Sequence, residues 1–255
     1  MRGVHGTEKV RLIGLLREPG ARMWSAYWYW PQYRRRYGQH AKGFLAYVEH
    51  VVAAFEACVE ASAASDGLAS SKMGGAAQRQ RWLEDCAFNF ESLSAVNEGV
   101  YYHADQLLKS LYAAYVPTWL RAFGRPRLLL LRAEDYWAQP KATLNTVSEF
   151  LGLGAPAPRH LDAAAAAPLQ LIHGSNAPFW GDKRIVNSHM LLLRNETVEP
   201  GHVASRIPMP MGRAARLRLS SFFEPHNAAL ATLLGDERFR WDDVLRRREE
   251  REHAS

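Results

Sequence analysis

The segment Val10–Tyr27, VRLIGLLREPGARMWSAY, constrains the fold of this chain more than any other. Val10, Leu12, Ile13, Leu15 and Leu16 form a short apolar run, broken by Arg11 and Gly14, with the pattern of a buried strand. Arg17 and Glu18 stand where the strand ends. Pro19 and Gly20 then break it, and proline suits the first turn of a helix. The spacing predicts strand, turn and helix, with Arg17 at the carboxyl tip of the strand. Open α/β sheets bind ligands at such tips. A helix N-terminus offers N–H groups to an anion, and an arginine fork matches phosphate. Ser25 adds a hydroxyl on the same helix. Arg17 and Ser25 are therefore candidate ligands of a nucleotide phosphate; the competing reading is a solvated turn.

A chain of 255 residues that is 47% hydrophobic has enough apolar surface for one sizeable core. Its net charge of +6 and pI near 9.4 suit anionic partners: nucleotides, acidic glycans, nucleic acid or an acidic membrane surface. Part of that charge lies in the tail RRREER, Arg246–Arg251, which reads as a solvated helix end. No apolar run approaches the ~20 residues of a membrane span. MRGVHGTEKV has no signal-peptide pattern. Neither GxxxxGK[ST] nor GxGxxG occurs, and Gly3, Gly6 and Thr7 follow no apolar strand.

The two cysteines, Cys58 and Cys86, are compatible with one disulfide or with two free thiols. They lack a ligand set for zinc, and no metal is implied. WYWPQYRRRYGQH, Trp28–His40, interleaves aromatic and basic residues. It reads as a helix end that packs its rings and turns Arg34, Arg35 and Arg36 to water, or as a surface that stacks on sugars or single-stranded nucleic acid. Phe44, Leu45, Val48, Val51, Val52, Phe55 and Val59 mark an amphipathic helix. Ser62–Ala77 reads as a loop, and Gln80–Phe88 as a short helix. Tyr101–Phe123 is helical in pattern, with a kink expected at Pro117. RLLLLRAEDY, Arg127–Tyr136, suits a strand buried on both faces. Pro140 opens a helix that Gly152 and Gly154 stop at Leu151. Ala155–Pro210 reads as long loops, with Ala163–Ala167 a low-complexity patch. A last helix is expected over Arg213–Leu234, broken by Pro225.

Several of these segments, in order, resemble the sulfotransferase family. They are most similar to the Golgi carbohydrate sulfotransferases of the N-acetylgalactosamine 4-sulfate 6-O-sulfotransferase type. LREPGARMWSAY resembles the family's 3′-phosphate motif. FEAC and LEDC, ending in Cys58 and Cys86, resemble that branch's paired cysteines. SLYAAYVPTWLRAF, Ser110–Phe123, resembles its Gly-x-Tyr helix, with Ser110 in the glycine's place. LLLLRAEDY and EFLGLG resemble the strand and helix that follow, and FFEPHNAALATLLGDERFRW, Phe222–Trp241, resembles its C-terminal helix.

The resemblance implies an α/β fold: a P-loop-like, doubly wound parallel sheet flanked by helices. It implies 3′-phosphoadenosine 5′-phosphosulfate (PAPS) as sulfuryl donor, a glycosaminoglycan-like carbohydrate as acceptor, and the Golgi as location. Arg17 and Ser25 then match the residues that hold the donor's 3′-phosphate, and Cys58 and Cys86 match a disulfide. The family's phosphate loop, with its lysine, has no counterpart here, since Lys9 begins the later strand. Residues 1–245 are thus expected to be a sulfotransferase domain incomplete at its N-terminus, binding donor weakly, with a charged tail over 246–255. The catalytic base is unassigned. His173, His189, His202 and His226 are candidates, as are Glu134 and Asp135 at a strand tip, where a helix-start acidic pair is the rival reading. Lys183, Arg184 and Arg206 could reach phosphate or an acidic glycan. Nucleic acid is not expected as a partner under this reading. The alternatives are a non-enzymatic basic domain that binds polyanions, glycan or nucleic acid, and a relative of the nucleotide kinases.

Overall fold

The computed structural model describes residues 10–66, 76–91, 106–159, 161–162 and 210–253. Lys9, His173, His189, His202, Lys183, Arg184, Arg206 and most of the expected loop region between Ala155 and Pro210 lie outside the described residues. Strand β1, Leu12–Leu16, leads into helix α1, Pro19–Tyr29, and helix α2, Pro31–Tyr37. Helix α3 spans Ala41–Ser65 and α4 spans Ala76–Glu91. Helix α5, Tyr112–Phe123, precedes strand β2, Leu128–Arg132, and helices α6, Ala133–Ala138, and α7, Pro140–Leu151. Helix α8, Arg213–Leu234, and helix α9, Asp242–His253, close the chain.

The described residues are mostly helical, and their sheet has two parallel strands. Leu12 faces Leu128, and Leu16 faces Arg132. Both carboxyl tips therefore lie at the same end, each feeding a helix. The strands are less buried than their composition suggested. Ile13 is 42% and Leu15 55% exposed, while Leu12, Gly14 and Leu16 are half-buried. This is the alternation of a strand packed on one face. Residues 129–131 of β2 are likewise only half-buried. Among the described residues each strand pairs along one edge with the other.

Two cores share α8. The larger gathers Trp24, Tyr27, Tyr33, Phe44, Tyr47, Val51, Phe55, Leu107, Leu219 and Phe223 from α1, α2, α3, α8 and the turn before α5. The aromatic residues around α2 pack as rings: Tyr33 is 1% exposed and stacks on Tyr27, with centroids 6.5 Å apart, while Arg35 and Arg36 are exposed. Burying each such ring contributes roughly 1.5–3 kcal/mol. Gly43 is required at the start of α3, because a Cβ there would stand 2.1 Å from the Tyr37 carbonyl oxygen. The smaller core joins Val116, Leu230, Ala231, Phe239, Trp241 and Val244 under Leu16 and Leu130.

Pro225 lies inside α8 without breaking it. A proline inside a helix costs ~3 kcal/mol. Phe222 and Phe223 before it and Leu230 and Ala231 after it are buried in the two cores, and that packing holds the helix continuous. Pro117 likewise sits inside α5, which begins at Tyr112, so the expected longer helix is interrupted at Leu111 (φ −83°, ψ 63°). Helix α4 is longer at both ends than the Gln80–Phe88 pattern predicted. Gly152 ends α7 in the left-handed conformation, φ 72°, with Leu153 N–H donating to the Ser148 carbonyl. Cys58 of α3 and Cys86 of α4 are joined in a disulfide, with Cα atoms 6.0 Å apart.

Candidate functional site

Arg17 lies at the carboxyl tip of β1, one residue before the cap of α1. Its backbone is gripped by one side chain. The Tyr112 hydroxyl donates to the Arg17 carbonyl at 2.9 Å and accepts from the Arg17 N–H at 3.4 Å. Burial pushes the Tyr112 phenol up to about 12, so the group that holds this turn stays protonated. The Arg17 guanidinium carbon stands 5.0 Å from the ring centroid of Trp137 on α6.

The helix N-terminus beside Arg17 is not available to an anion, and this corrects the sequence reading. Glu18 is 5% exposed, and its carboxylate caps α1: Oε1 accepts from Gly20 N–H and Oε2 from Ala21 N–H, each at 2.7 Å. Arg22 N–H donates to the Glu18 carbonyl, and Pro19 has no N–H to offer. The first turn of α1 is thereby fully satisfied by its own chain. Any anion at this tip is held by side chains.

Ser25 sits two turns into α1. Arg22, Ser25, Ala26 and Tyr29 form the less buried face of this helix, at spacings of three and four residues, while Met23, Trp24 and Tyr27 face the core. Arg22 on this face is committed elsewhere. Its Nη1 donates to the Gln106 carbonyl and to Ser110 Oγ, both at 3.1 Å, and its Nη2 to Gln106 Oε1 at 3.2 Å. Ser110 is 1% exposed and also donates to the Gln106 carbonyl at 2.9 Å. The hydroxyl that replaces the family's glycine thus gives Arg22 an acceptor and ties α1 to the turn ahead of α5.

The two acidic candidates at the tip of β2 are structural. Glu134 Oε1 accepts from the Glu18 backbone N–H at 2.9 Å, and its Oε2 accepts from Trp241 Nε1 at 3.0 Å. One carboxylate therefore joins both strand tips to the C-terminal segment. Asp135 lies 3.8 Å from Arg132 and 3.1 Å from Arg238. Both acids fall in the first turn of α6, where the helix dipole favours them. His226 is no better placed as a base: its ring packs on Phe222, with centroids 5.2 Å apart, and burial pulls its pKa down to about 4. Among the described residues no group of three or more His, Cys, Asp or Glu could hold a metal ion.

The strand tips thus bring together Arg17, Trp137, Tyr112, Glu18 and Glu134, with Ser25 further along α1. Sequence reasoning missed Tyr112 and Trp137. The hint for Trp137 was its place five residues beyond Arg132, on the helix that follows the second strand. Tyr112 lies 95 residues from Arg17 and left no local signal.

Comparison with known proteins gives one consistent answer. Over 231 residues, 91% of this chain, the sequence is 26% identical to human carbohydrate sulfotransferase 15 (Homo sapiens). Over 233 residues it is 24% identical to the mouse protein of the same name (Mus musculus). The match covers 31% of each relative, so the chain spans about a third of their length. No family model matches, and no solved structure matches. The chain is related to the carbohydrate sulfotransferases.

Proposed function

We propose that this relative of the carbohydrate sulfotransferases binds PAPS through its 3′-phosphate at the tip of β1 and serves sulfuryl transfer to a carbohydrate hydroxyl. The acceptor in this reading is a glycosaminoglycan-like glycan, and the compartment is the Golgi lumen. The observation that carries the proposal is the position of Arg17: a guanidinium at a strand tip, backbone-fixed by Tyr112, in a chain that is similar to carbohydrate sulfotransferase 15 over 91% of its length. Arg17 supplies a planar donor fork and Ser25 a hydroxyl, a donor set suited to a phosphate dianion. The capped amides of α1 leave that recognition to side chains.

PAPS supplies the sulfuryl group. The S–O bond to its 5′-phosphate breaks, an S–O bond to the acceptor oxygen forms, the hydroxyl proton is lost, and 3′-phosphoadenosine 5′-phosphate departs. Arg17 and Ser25 act on binding and orientation. Parallel pairing of β1 and β2, with both tips at one end and a helix after each, supports a larger doubly wound sheet of the P-loop-like kind. The Cys58–Cys86 disulfide supports an oxidising compartment. No helix of the described residues is long and apolar enough to cross a membrane.

Thermal denaturation with 3′-phosphoadenosine 5′-phosphate tests the donor site. A ligand that binds only the native state at a hundredfold excess over Kd adds about 2.7 kcal/mol. The midpoint should rise for the wild type and stay flat for Arg17→Ala. A rise that survives Arg17→Ala refutes the site. Radiolabelled PAPS with chondroitin or dermatan sulfate tests the transfer itself.

One observation favours the rival reading of a polyanion-binding domain. Between Glu18 and Glu49 the chain has Arg22, Arg34, Arg35, Arg36 and Lys42 and not one acidic residue. Binding to heparin or nucleic acid that falls steeply with salt, without any response to the nucleotide, would decide for it.

A further inference from the structure

Along the C-terminal helices, arginines meet carboxylates. Arg218 pairs with Glu56 at 2.6 Å, Arg240 with Glu224 at 3.2 Å and Arg246 with Glu250 at 3.9 Å. The corner where α1, α2 and α3 meet is different. From Pro19 to Val48 the chain holds no acidic residue, and the next one, Glu49, lies 3.4 Å from Arg218. Among the described residues Arg34, Arg35 and Lys42 make no ion pair. We propose that this corner binds the sulfate and carboxylate groups of an acidic polysaccharide, with Arg34, Arg35 and Lys42 as cationic contacts and Trp28 as the plate that orients Arg34. The inference deepens the reading above and rests on its glycan acceptor, not on the Arg17 site.

Trp28 is held in place by buried rings. It stands edge to face against Trp24, with centroids 5.4 Å apart, and against Tyr27, with centroids 5.8 Å apart. The Arg34 guanidinium carbon lies 6.0 Å from the Trp28 centroid. Trp28 Nε1 and Arg34 Nε are both buried, and neither has a hydrogen-bond partner. Buried donors are nearly always paired, and an oxyanion beside Arg34 supplies the acceptor that the chain lacks. Helix α2 is fixed on α3 by Tyr33 and Tyr37, whose rings lie 5.0 and 5.4 Å from that of Tyr47. Arg35 on α2 and Lys42 in the first turn of α3 are exposed, so packed elements carry the charge. A field of one sign on a rigid surface attracts polyanions. Two observations favour polysaccharide over nucleic acid. Single strands are gripped by rings that stack on bases, whereas Trp24, Tyr27 and Tyr33 are buried in the core. The disulfide on α3 also suits an oxidising compartment. Trp28 lies about 13 Å along α1 from Pro19 at the strand tip, a gap that a polymer spans and a single sugar does not.

The test is titration of the full chain with a size-defined chondroitin sulfate oligosaccharide at physiological ionic strength, without nucleotide. Each exposed charge contact is worth about twofold to fivefold. Arg35→Gln/Lys42→Gln should therefore weaken binding at least about fourfold, and adding Arg34→Gln should weaken it further. Ligand-free thermal midpoints show that each variant folds. Removing three exposed charges on α5, α7 and α9, Arg121→Gln/Lys141→Gln/Arg246→Gln, should leave the affinity nearly unchanged, since charges beyond a Debye length of about 8 Å are largely screened. An equal loss in that control overturns the site, because binding would then follow net charge. Failure of the wild type to bind the oligosaccharide overturns it, as does full affinity in the double variant. Tighter binding of a single-stranded oligonucleotide of equal charge, weakened by the same substitutions, overturns the choice of polysaccharide. The donor site is read separately: the thermal rise with 3′-phosphoadenosine 5′-phosphate should be the same in the triple variant as in the wild type. Its absence from the wild type would refute the donor reading while the oligosaccharide titration still decided this one.

Discussion

The two strand tips carry the same residue type and use it in opposite ways. Arg132 ends β2 and Arg17 follows the end of β1, one position beyond the Leu16–Arg132 pair. The Arg132 side chain is 2% exposed, and its Nη2 donates to both carboxylate oxygens of Asp243 at 2.9 and 3.1 Å. It fastens α9 to the sheet. Arg17 is half-buried and lies face-on to an exposed indole, with its backbone held by Tyr112. A buried arginine clasped by carboxylates has its charge committed to the fold. Arg17 is only half-buried and sets its guanidinium against an aromatic face rather than between carboxylates. Residue type and place in the strand–helix unit are shared, and what the neighbouring elements supply decides the use.

Substitution at the β2 tip should be the most damaging. Asp243→Ala would leave the Arg132 charge buried, with Asp135 at 3.8 Å as its remaining ion pair. Breaking a buried pair from one side costs about 3–5 kcal/mol. Arg132→Met should cost less, because the carboxylate it leaves behind, 38% exposed, can hydrate. Urea denaturation reads both. If Arg132→Met proved the worse of the two, the commitment of Arg132 to the fold would rest on packing rather than charge.

Next in size is the link between the tips. Glu134→Gln keeps the shape but replaces one acceptor oxygen with an NH₂ group, facing either the Glu18 N–H or the Trp241 indole N–H. A buried donor left unsatisfied costs about 1–3 kcal/mol. The same variant should loosen nucleotide binding, since the turn carrying Arg17 is anchored there. Full stability with weakened binding would separate the two tips more sharply than the shared carboxylate suggests.

The local parts of this arrangement were legible in the sequence. Pro19 and Pro140 opened helices where expected, Gly152 closed one, and the apolar runs marked both strands. Arg17 was found because strand, turn and helix are contiguous in sequence. The contacts that decide its use were not legible, because they join residues 84 to 116 positions apart. Arg22 finds Gln106 and Ser110, Glu18 finds Glu134, and Glu134 finds Trp241. Glu18 has the pattern of a cap, an acceptor just before a proline-led first turn, although the apolar run places it at the end of the strand. Pro225 misled because local propensity is outweighed by burial on both sides of it.

Tyr112→Phe probes the grip on Arg17 alone. At neutral pH it removes a bond to the Arg17 carbonyl worth about 1 kcal/mol. The pH profile is more informative. The Tyr112 pKa is raised from 10 to about 12 by burial, so its contribution is fully present below pH 10 and is lost as pH rises towards 12. Tyr27 is raised to about 12 as well, chiefly by burial. Burial raises Tyr37 too, so the wild type should lose stability on the alkaline side through these three tyrosines, and Tyr112→Phe should remove part of that loss. An unchanged alkaline arm would place the titration elsewhere and undo the account of how the turn is held.

The smallest effect on stability should come from Arg17→Ala, and its smallness matters most to the comparison. The substitution removes, among its side-chain contacts, the cation–π contact with Trp137, worth about 0.5–1 kcal/mol. It also releases side-chain entropy that offsets part of the loss, while both backbone bonds to Tyr112 remain. The midpoint without ligand should move by a degree or two, roughly as expected for a domain of this length, while the ligand-induced rise disappears. A loss near that of Asp243→Ala would mean that Arg17 too is committed to the fold, and the two tips would then differ in partner but not in purpose.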